Sequence, residues 1–366
     1  MKILLVNNDK GWGGGQEFLK GLSLELRNAG FDVHMAVRAG SPSEERFESL
    51  GLSVHSLSRR GMKALLSIRT LAAVMRREHF DVISINREHD IFSTVLARRL
   101  AFPFSCPGKL LMTYHVGIAR KQFFLGAMDA ILCVSNHVRA RLLERHPGIA
   151  AKSRVVHNGI RVTACPDLEK FSVIRKRHFF HGVGGPLIGM VGPLWKNQTE
   201  LVDCIPLLRR EFPAIRVAFV GDDTELPYAA QLKEKIREMG VGEHVMFTGK
   251  VPHEQMADIF YDFDLTVSTF RNEGHPLAPL ESLAAGTPVV AYNEGGQVDI
   301  LQGEEAGILV DGGTAEFVAA VAELLRDDER RFAMGRRGVE LVNRKFTVAS
   351  MVDRYCSLFR ELLAAG

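Results

Sequence analysis

Short apolar runs recur along this chain, separated by segments whose apolar residues fall at helical spacing. In the first half, residues 1–6, 31–37, 54–57, 81–85, 110–114, 130–134 and 153–157 read as strands, bounded by polar and glycine-rich stretches. Residues 11–15 read as a loop, residues 16–29 have the 3.6-residue spacing of an amphipathic helix, and Gly30 is its natural stop. The second half repeats the pattern, with strands at 186–191, 216–220, 244–247, 265–268, 288–291 and 307–310. Helical stretches at 200–210, 228–239 and 254–260 lie between them. Continuous apolar strands alternating with helices are what parallel β-α-β units require, because helices cover both faces of the sheet. The predicted fold class is therefore α/β, with two doubly wound parallel sheets. Such sheets bind ligands outside the carboxyl ends of their strands, and two facing each other would enclose a cleft. The expected domains span 1–166 and 186–345. They are joined by the basic segment 167–185, which ends in Gly182-Val183-Gly184-Gly185, and followed by an amphipathic helix within 346–366.

The length of 366 residues suits two such domains, and 46% hydrophobic with 24% charged residues is the profile of a soluble globular protein. No apolar run approaches the roughly 18 residues that cross a bilayer, and residues 3–6 are too few for a signal-peptide core. A cytoplasmic protein is the expectation. Five scattered cysteines, Cys106, Cys133, Cys165, Cys204 and Cys356, form no C-x-x-C pair and read as buried thiols, not as a disulfide framework or a zinc site.

The net charge of +3 conceals an asymmetry that composition alone does not show. Residues 1–180 hold 28 Lys and Arg against 15 Asp and Glu, whereas residues 181–366 hold 18 against 28. The basic excess gathers at Arg59, Arg60, Lys63, Arg69, Arg76 and Arg77, then at Arg98, Arg99, Arg120 and Lys121. It reads either as a solvated helix face or as an attraction to an anionic membrane surface or a phosphorylated acceptor. No aromatic platform is interleaved with it, which argues against nucleic acid.

The richest chemistry lies between Asp264 and Tyr292. A strand at 265–268, a loop at 271–276 and a short helix at 277–285 would present free backbone N–H groups and a partial positive charge, a ready phosphate site. Glu273 precedes that helix and Glu281 lies in its first turns. A carboxylate so placed can accept two hydrogen bonds from a vicinal diol of a ribose or hexose. Taken alone, the same pair also reads as a solvated loop charge and a helix-dipole partner.

The run Glu273-Gly274-His275-Pro276, followed by Leu280 to Ala291 (Leu-Glu-Ser-Leu-Ala-Ala-Gly-Thr-Pro-Val-Val-Ala), closely resembles the signature of the retaining glycosyltransferases of the GT-B fold, family 4. The resemblance implies that Glu273 contacts a donor sugar and Glu281 the nucleotide ribose. The backbone from Gly274 to Leu277 and Ala278 would face the diphosphate. Gly13-Gly14-Gly15-Gln16-Glu17 is similar to the family's N-terminal glycine loop, which would assign Gly14 and Gly15 to the donor phosphate and acceptor. A dinucleotide fingerprint fails there, since Gln16 or Phe18 stands where its third glycine belongs. Thr113-Tyr114-His115 resembles the strand-end histidine near the reacting sugar. The segments holding Ser135 and Asn158 also look like family segments and read as mostly architectural.

In the second half, Gly189 to Gln198 resembles the strand and loop that bring an Arg and a Lys to the diphosphate. Gly192 and Lys196 match, but Pro193 replaces the Arg, leaving Arg271 as a nearby candidate cation. Gly221, Lys250 and Val251 fall in segments similar to those around the nucleotide base. Glu294-Gly295-Gly296 resembles a further glycine turn, with Asp299 where a Glu is more usual.

The implied reaction is retaining transfer of a hexosyl group from a nucleoside-diphosphate sugar to a hydroxyl of a glycan or lipid-linked acceptor. Its setting would be cell-envelope polysaccharide, lipopolysaccharide or glycolipid synthesis at the inner face of the cell membrane. His115, Glu273 and Lys196 would carry it, with no cofactor and no metal. The one D-x-D run, Asp262-Phe263-Asp264, lies at the start of a strand and reads as structural. The competing readings are a binding subunit that keeps the fold without turnover, a Rossmann-type NAD enzyme, and a sugar-nucleotide epimerase.

Overall fold

The computed structural model describes residues 1–58, 64–105, 107–116, 122–162, 179–222 and 226–364. Arg59, Arg60, Lys63, Arg120, Lys121, Cys106, Cys165 and residues 167–178 of the expected connection lie outside them. The chain divides into two compact units, one formed by Met1–Arg161 with Val348–Gly366, the other by Val162–Thr347.

The first unit runs β1 (Lys2–Asn7), α1 (Gly14–Asn28), β2 (Asp32–Arg38), α2 (Pro42–Ser49), β3 (Ser53–Leu57), α3 (Ala64–Glu78), β4 (Val82–Ile85), α4 (Ile91–Ala101), β5 (Lys109–Tyr114), β6 (Ala130–Cys133), α5 (Asn136–Arg145) and β7 (Ser153–Val155). All seven strands are parallel, in the order β3-β2-β1-β4-β5-β6-β7. The period-2 geometry of β1 explains why the strand is apolar throughout. Leu4 and Val6 enter a core with Ile68 and Leu71 of α3 and Ala97 of α4, while Ile3 and Leu5 enter the opposite core with Leu19 and Leu22 of α1. Ser135 caps α5, its hydroxyl accepting from the Val138 N–H at 3.1 Å, so its role is the architectural one.

The second unit runs β8 (Leu187–Val191), α6 (Gln198–Leu208), β9 (Arg216–Val220), α7 (Leu226–Glu238), β10 (Val245–Gly249), α8 (Met256–Asp262), β11 (Leu265–Ser268), α9 (Leu277–Ala284), β12 (Val289–Tyr292), α10 (Gln297–Leu301), β13 (Gly307–Val310), α11 (Thr314–Arg326) and α12 (Asp328–Lys345). Its six parallel strands follow the order β10-β9-β8-β11-β12-β13. The last helix, α13 (Val348–Ala364), belongs to the first unit. There its Tyr355 hydroxyl lies 3.3 Å from the Thr113 hydroxyl, and its Met351 sulfur accepts from the Gly159 N–H at 3.4 Å.

Two expectations change. Residues 179–185 are not a loose connection. The Asp262 carboxylate accepts the N–H groups of Phe179 and Phe180 at 2.6 and 2.8 Å, and Phe180 is buried against Phe263. Gly14 and Gly15 are the first residues of α1 and not part of a loop, because the Gln16 carboxamide folds back to accept the Gly13 N–H at 3.0 Å and starts the helix early. Glu281 lies in the first turns of its helix as expected, as the fifth residue of α9. Two consecutive helices that sequence spacing had not singled out, α11 and α12, complete the second unit. Gly335 and Gly338 of α12 let it press on α9: a Cβ at Gly335 would lie 2.2 Å from the Gly286 carbonyl oxygen, and one at Gly338 would meet Leu283 at 2.9 Å.

Candidate functional site

In each sheet the strand order reverses once, between β1 and β4 in the first unit and between β8 and β11 in the second. The loops leaving those two strands diverge, and the crevice they leave is where open α/β sheets hold ligands. In the second unit the two loops are Gly192–Asn197 after β8 and Thr269–Pro276 after β11. Asn197, in a left-handed conformation, and Thr269 tie them together: the Thr269 hydroxyl donates to the Asn197 carbonyl at 2.8 Å, and the Asn197 amide returns to the Thr269 carbonyl at 3.4 Å. Beside that tie the Lys196 ammonium lies 2.5 Å from the Glu273 carboxylate. Both side chains are largely shielded from water, so the pair is more than a surface contact.

Glycines set the backbone around this pair. A Cβ at Gly221 would lie 2.2 Å from the Gly192 carbonyl, and the Gly192 N–H bonds to the Val220 carbonyl at 2.9 Å, so the ends of β8 and β9 touch backbone to backbone. The turn at Gly295 and Gly296 performs the same service for the Glu273 loop. The Gly296 N–H donates to the Glu273 carbonyl at 2.8 Å, and a Cβ at Gly296 would lie 1.7 Å from the Gly274 carbonyl oxygen. The position of Glu273 thus depends on two residues with no side chain.

Pro276 caps α9, and the helix begins with Leu277 and Ala278. Pro276 and Pro279 have no N–H and the Leu280 N–H is taken by the Pro276 carbonyl in the first helical bond, so the free donors of this first turn belong to Leu277 and Ala278. Glu281 follows within the helix, its carboxylate 3.9 Å from Nδ1 of His253. His253 was not singled out in the sequence. Its only signal there is its position two residues beyond Val251, in the segment after β10. Val251 and Ala278 both pack on the apolar cluster that includes Phe260 and Phe263, while Lys250 is exposed.

Arg271, the candidate for the missing loop arginine, is engaged by partners of its own. Its guanidinium lies 3.5 Å above the Tyr292 ring, contacts Glu294 at 2.6 Å and the Gly312 carbonyl at 3.1 Å, and has Glu200 at 3.6 Å. Cation–π stacking and two carboxylates hold it in a cluster of its own. Trp195, also unremarked in the sequence, stands edge-on to Phe270 at 5.6 Å with 40% of its surface exposed, adjacent to Lys196. Asp264 is engaged by the Leu187 N–H at 2.8 Å, so like Asp262 it serves the backbone. Among the described residues, no group of three or more His, Cys, Asp or Glu is placed to hold a metal ion.

The first unit repeats the arrangement at its own reversal. Asp9 after β1 pairs with Arg87 after β4, and the Gln16 amide donates to the same carboxylate at 3.3 Å. Burial opposes the charge on Asp9, but the Arg87 guanidinium and the Lys10 N–H hold its carboxyl below the usual range. The buried amide oxygens of Asn7 and Asn86, at the ends of β1 and β4, have no hydrogen-bond partner among the described residues. His115 follows β5 directly, its ring edge-on to Phe18 of α1 at 4.7 Å. Burial, with Arg87 second, pushes the imidazole down to about 4, so it is neutral at physiological pH. Burial also pushes the thiols of Cys133 and Cys204 up to about 12, and both are inert as ionised nucleophiles.

Residues 12–164 match the model of Glycosyltransferase Family 4, and residues 177–340 match that of Glycosyl transferases group 1. The chain belongs to this glycosyltransferase family. A similar curated relative is the GDP-mannose-dependent alpha-(1-6)-phosphatidylinositol monomannoside mannosyltransferase of Mycobacterium tuberculosis, 31% identical over 243 residues. That match covers 63% of this chain and spans 62% of the relative's length. Among solved structures, a glycosyltransferase from Rickettsia africae superposes with a TM-score of 0.83 at 17% identity, covering 100% of this chain and 99% of the other. HepE of Anabaena, solved in complex with UDP, superposes with a TM-score of 0.80 at 17% identity, over 99% and 100% of the two chains. These likenesses show the GT-B fold, and the two doubly wound sheets are its two domains.

Proposed function

We propose that this chain transfers a hexosyl group from a nucleoside-diphosphate sugar to an acceptor hydroxyl, with retention of anomeric configuration. The observation that carries the reading is the Lys196–Glu273 pair held at the β8/β11 reversal, beside the amino end of α9. In this reading the diphosphate takes the N–H groups of Leu277 and Ala278, and Lys196 neutralises the charge that develops as it leaves. Glu281 accepts hydrogen bonds from the ribose diol and Glu273 from hydroxyls of the sugar. Gly14, Gly15, Gly192, Gly221, Gly274, Lys250 and Val251 keep the donor-binding roles that the family resemblance implies.

Donor binding would redirect Lys196 toward phosphate and release Glu273 to the sugar, so the ion pair is a preformed stand-in for two substrate contacts. Enzymes of this resemblance lack an obvious protein nucleophile, and a front-face departure in which the leaving phosphate assists the acceptor's deprotonation fits the groups present. A neutral His115 would steady the sugar through its ring or carbonyl without adding positive charge.

The acceptor belongs, in this proposal, to a lipid-linked or phosphorylated glycan of the cell envelope. The basic excess of residues 1–180 supports it, and the M. tuberculosis relative is named for a phosphatidylinositol monomannoside acceptor. The test is a donor-consumption assay across UDP-, GDP- and ADP-sugars, with the anomeric outcome read by NMR. Nucleotide binding without turnover of any donor would favour the binding-subunit reading, and inversion would remove the mechanism.

A further inference from the structure

Helix α4 is apolar on two sides. Ile91, Ala97 and Ala101 face the sheet, as a helix in a doubly wound fold requires. Phe92, Leu96 and Leu100 recur every four residues on the outer side and are exposed, Phe92 by 55%. Scattered exposed apolar residues are ordinary, but a continuous stripe is not. The stripe is also extended by its neighbours. The Phe124 ring lies 5.7 Å from that of Phe92, Phe123 is 78% exposed, and Phe104, just beyond α4, is fully exposed. On α3, packed beside α4, Leu65 and Leu66 are exposed as well.

Charge identifies what such a face meets. Between Asp90 and Asp129 the sequence has five basic residues and no acidic one, and Arg99 on α4 and Arg69 on α3 are exposed. A second copy docking through the same face would bring the same positive charge to the contact and be repelled. Aromatic and aliphatic side chains flanked by arginines suit the boundary between lipid headgroups and acyl chains, where the rings enter the apolar layer and the guanidinium groups meet phosphate. We propose that the outer face of α4, with Phe123 and Phe124, docks this chain on an anionic lipid bilayer.

The docking face adjoins the polar end of the first sheet. Phe92 follows the turn Glu88–Asp90, and the Gln122 amide donates to the Glu88 carboxylate at 2.7 Å, tying the Phe123–Phe124 segment to the end of β4. A lipid-borne hydroxyl would therefore enter close to Arg87. The docking itself stands independently of sugar transfer, because it is read without a donor.

Sedimentation of the full chain with vesicles provides the test. Phosphatidylglycerol–phosphatidylcholine vesicles should bind it at low salt and release it at high salt, and vesicles of phosphatidylcholine alone should bind it weakly. Arg99→Glu should weaken binding about fivefold or more, and the double change Phe92→Ser with Leu96→Ser about tenfold or more. Melting temperature and donor consumption in solution should stay as in the parent chain. Should the double variant melt early, Phe123→Ser on its separate segment takes its place. The proposal is overturned if the chain ignores anionic vesicles at low salt or if these variants bind as the parent does. It is also overturned if ultracentrifugation finds a dimer that the variants dissolve.

Discussion

The Lys196 ammonium and the Glu273 carboxylate, 77 residues apart in the chain, lie 2.5 Å from one another where the second sheet reverses its strand order. The first sheet places Asp9 and Arg87 together at its own reversal. In both cases diverging loops leave a crevice that opposite charges bridge. In the proposed reading, the bridge of the second unit sets a cation for phosphate beside an acceptor for sugar hydroxyls.

If Lys196 neutralises the leaving diphosphate, Lys196→Met should lower kcat by about 10²–10³-fold, the scale of losing one preorganised electrostatic stabiliser. Steady-state kinetics with the preferred donor measures this, and an unchanged thermal midpoint shows that the fold is intact. A loss below about threefold would remove Lys196 from the charge-stabilising role.

Glu281 and Glu273 should separate cleanly. Glu281→Ala should abolish the rise in melting temperature that the donor nucleotide produces, since the ribose loses its acceptor. Glu273→Gln should keep that rise and lose turnover, if its partner is the sugar and not the nucleotide. Identical behaviour of the two variants in a thermal-shift titration would contradict the assignment.

Gly296→Ala should disturb a site that its side chain never touches. The added methyl would lie 1.7 Å from the Gly274 carbonyl, so the Glu273 loop must move. Overpacking of this kind costs about 1–3 kcal/mol, measurable as a lower urea midpoint, and turnover should fall with it. Gly15→Ala, where an added Cβ meets nothing within 4 Å, should leave the urea midpoint in place.

Folding stability should decline as pH falls from about 6.5 towards 4. Burial pushes both His55 and His115 down to about 4 in the folded chain, with the neighbouring His34 adding to the effect on His55. Over that window the unfolded chain binds more protons than the folded one, so acid favours unfolding, and the stability is fully present above the unfolded value. Urea midpoints across the window measure the slope, and His55→Gln should flatten it.

Much of the fold was legible because each apolar run had one available environment. Strands such as 265–268 and 307–310 occur in the structure at the bounds their patterns indicate. Helix α12 was harder to read because its many charges mask the glycines with which it packs on α9. Residues 179–185 read as a connection since glycines there look like slack, whereas a Cβ added at Gly185 would lie 2.6 Å from the Ala214 carbonyl oxygen. Glu273 and Glu281 were legible as a motif, whereas the setting of Arg271 was not. Its partners Glu200, Tyr292 and Glu294 are distant from it in sequence, and no local pattern announces them.

By itself the sequence determined the two parallel-sheet units, the family, and the residues that belong to its signature. Periodicity and turn chemistry are local, and a chain records them directly. The tertiary structure decided which charges meet: that Lys196 is paired with Glu273, that Arg271 is held over Tyr292, and that Gly296 supports the Glu273 loop. Those outcomes depend on how parallel strands bring distant loops to one edge of a sheet, and on distances of a few ångströms that only packing sets.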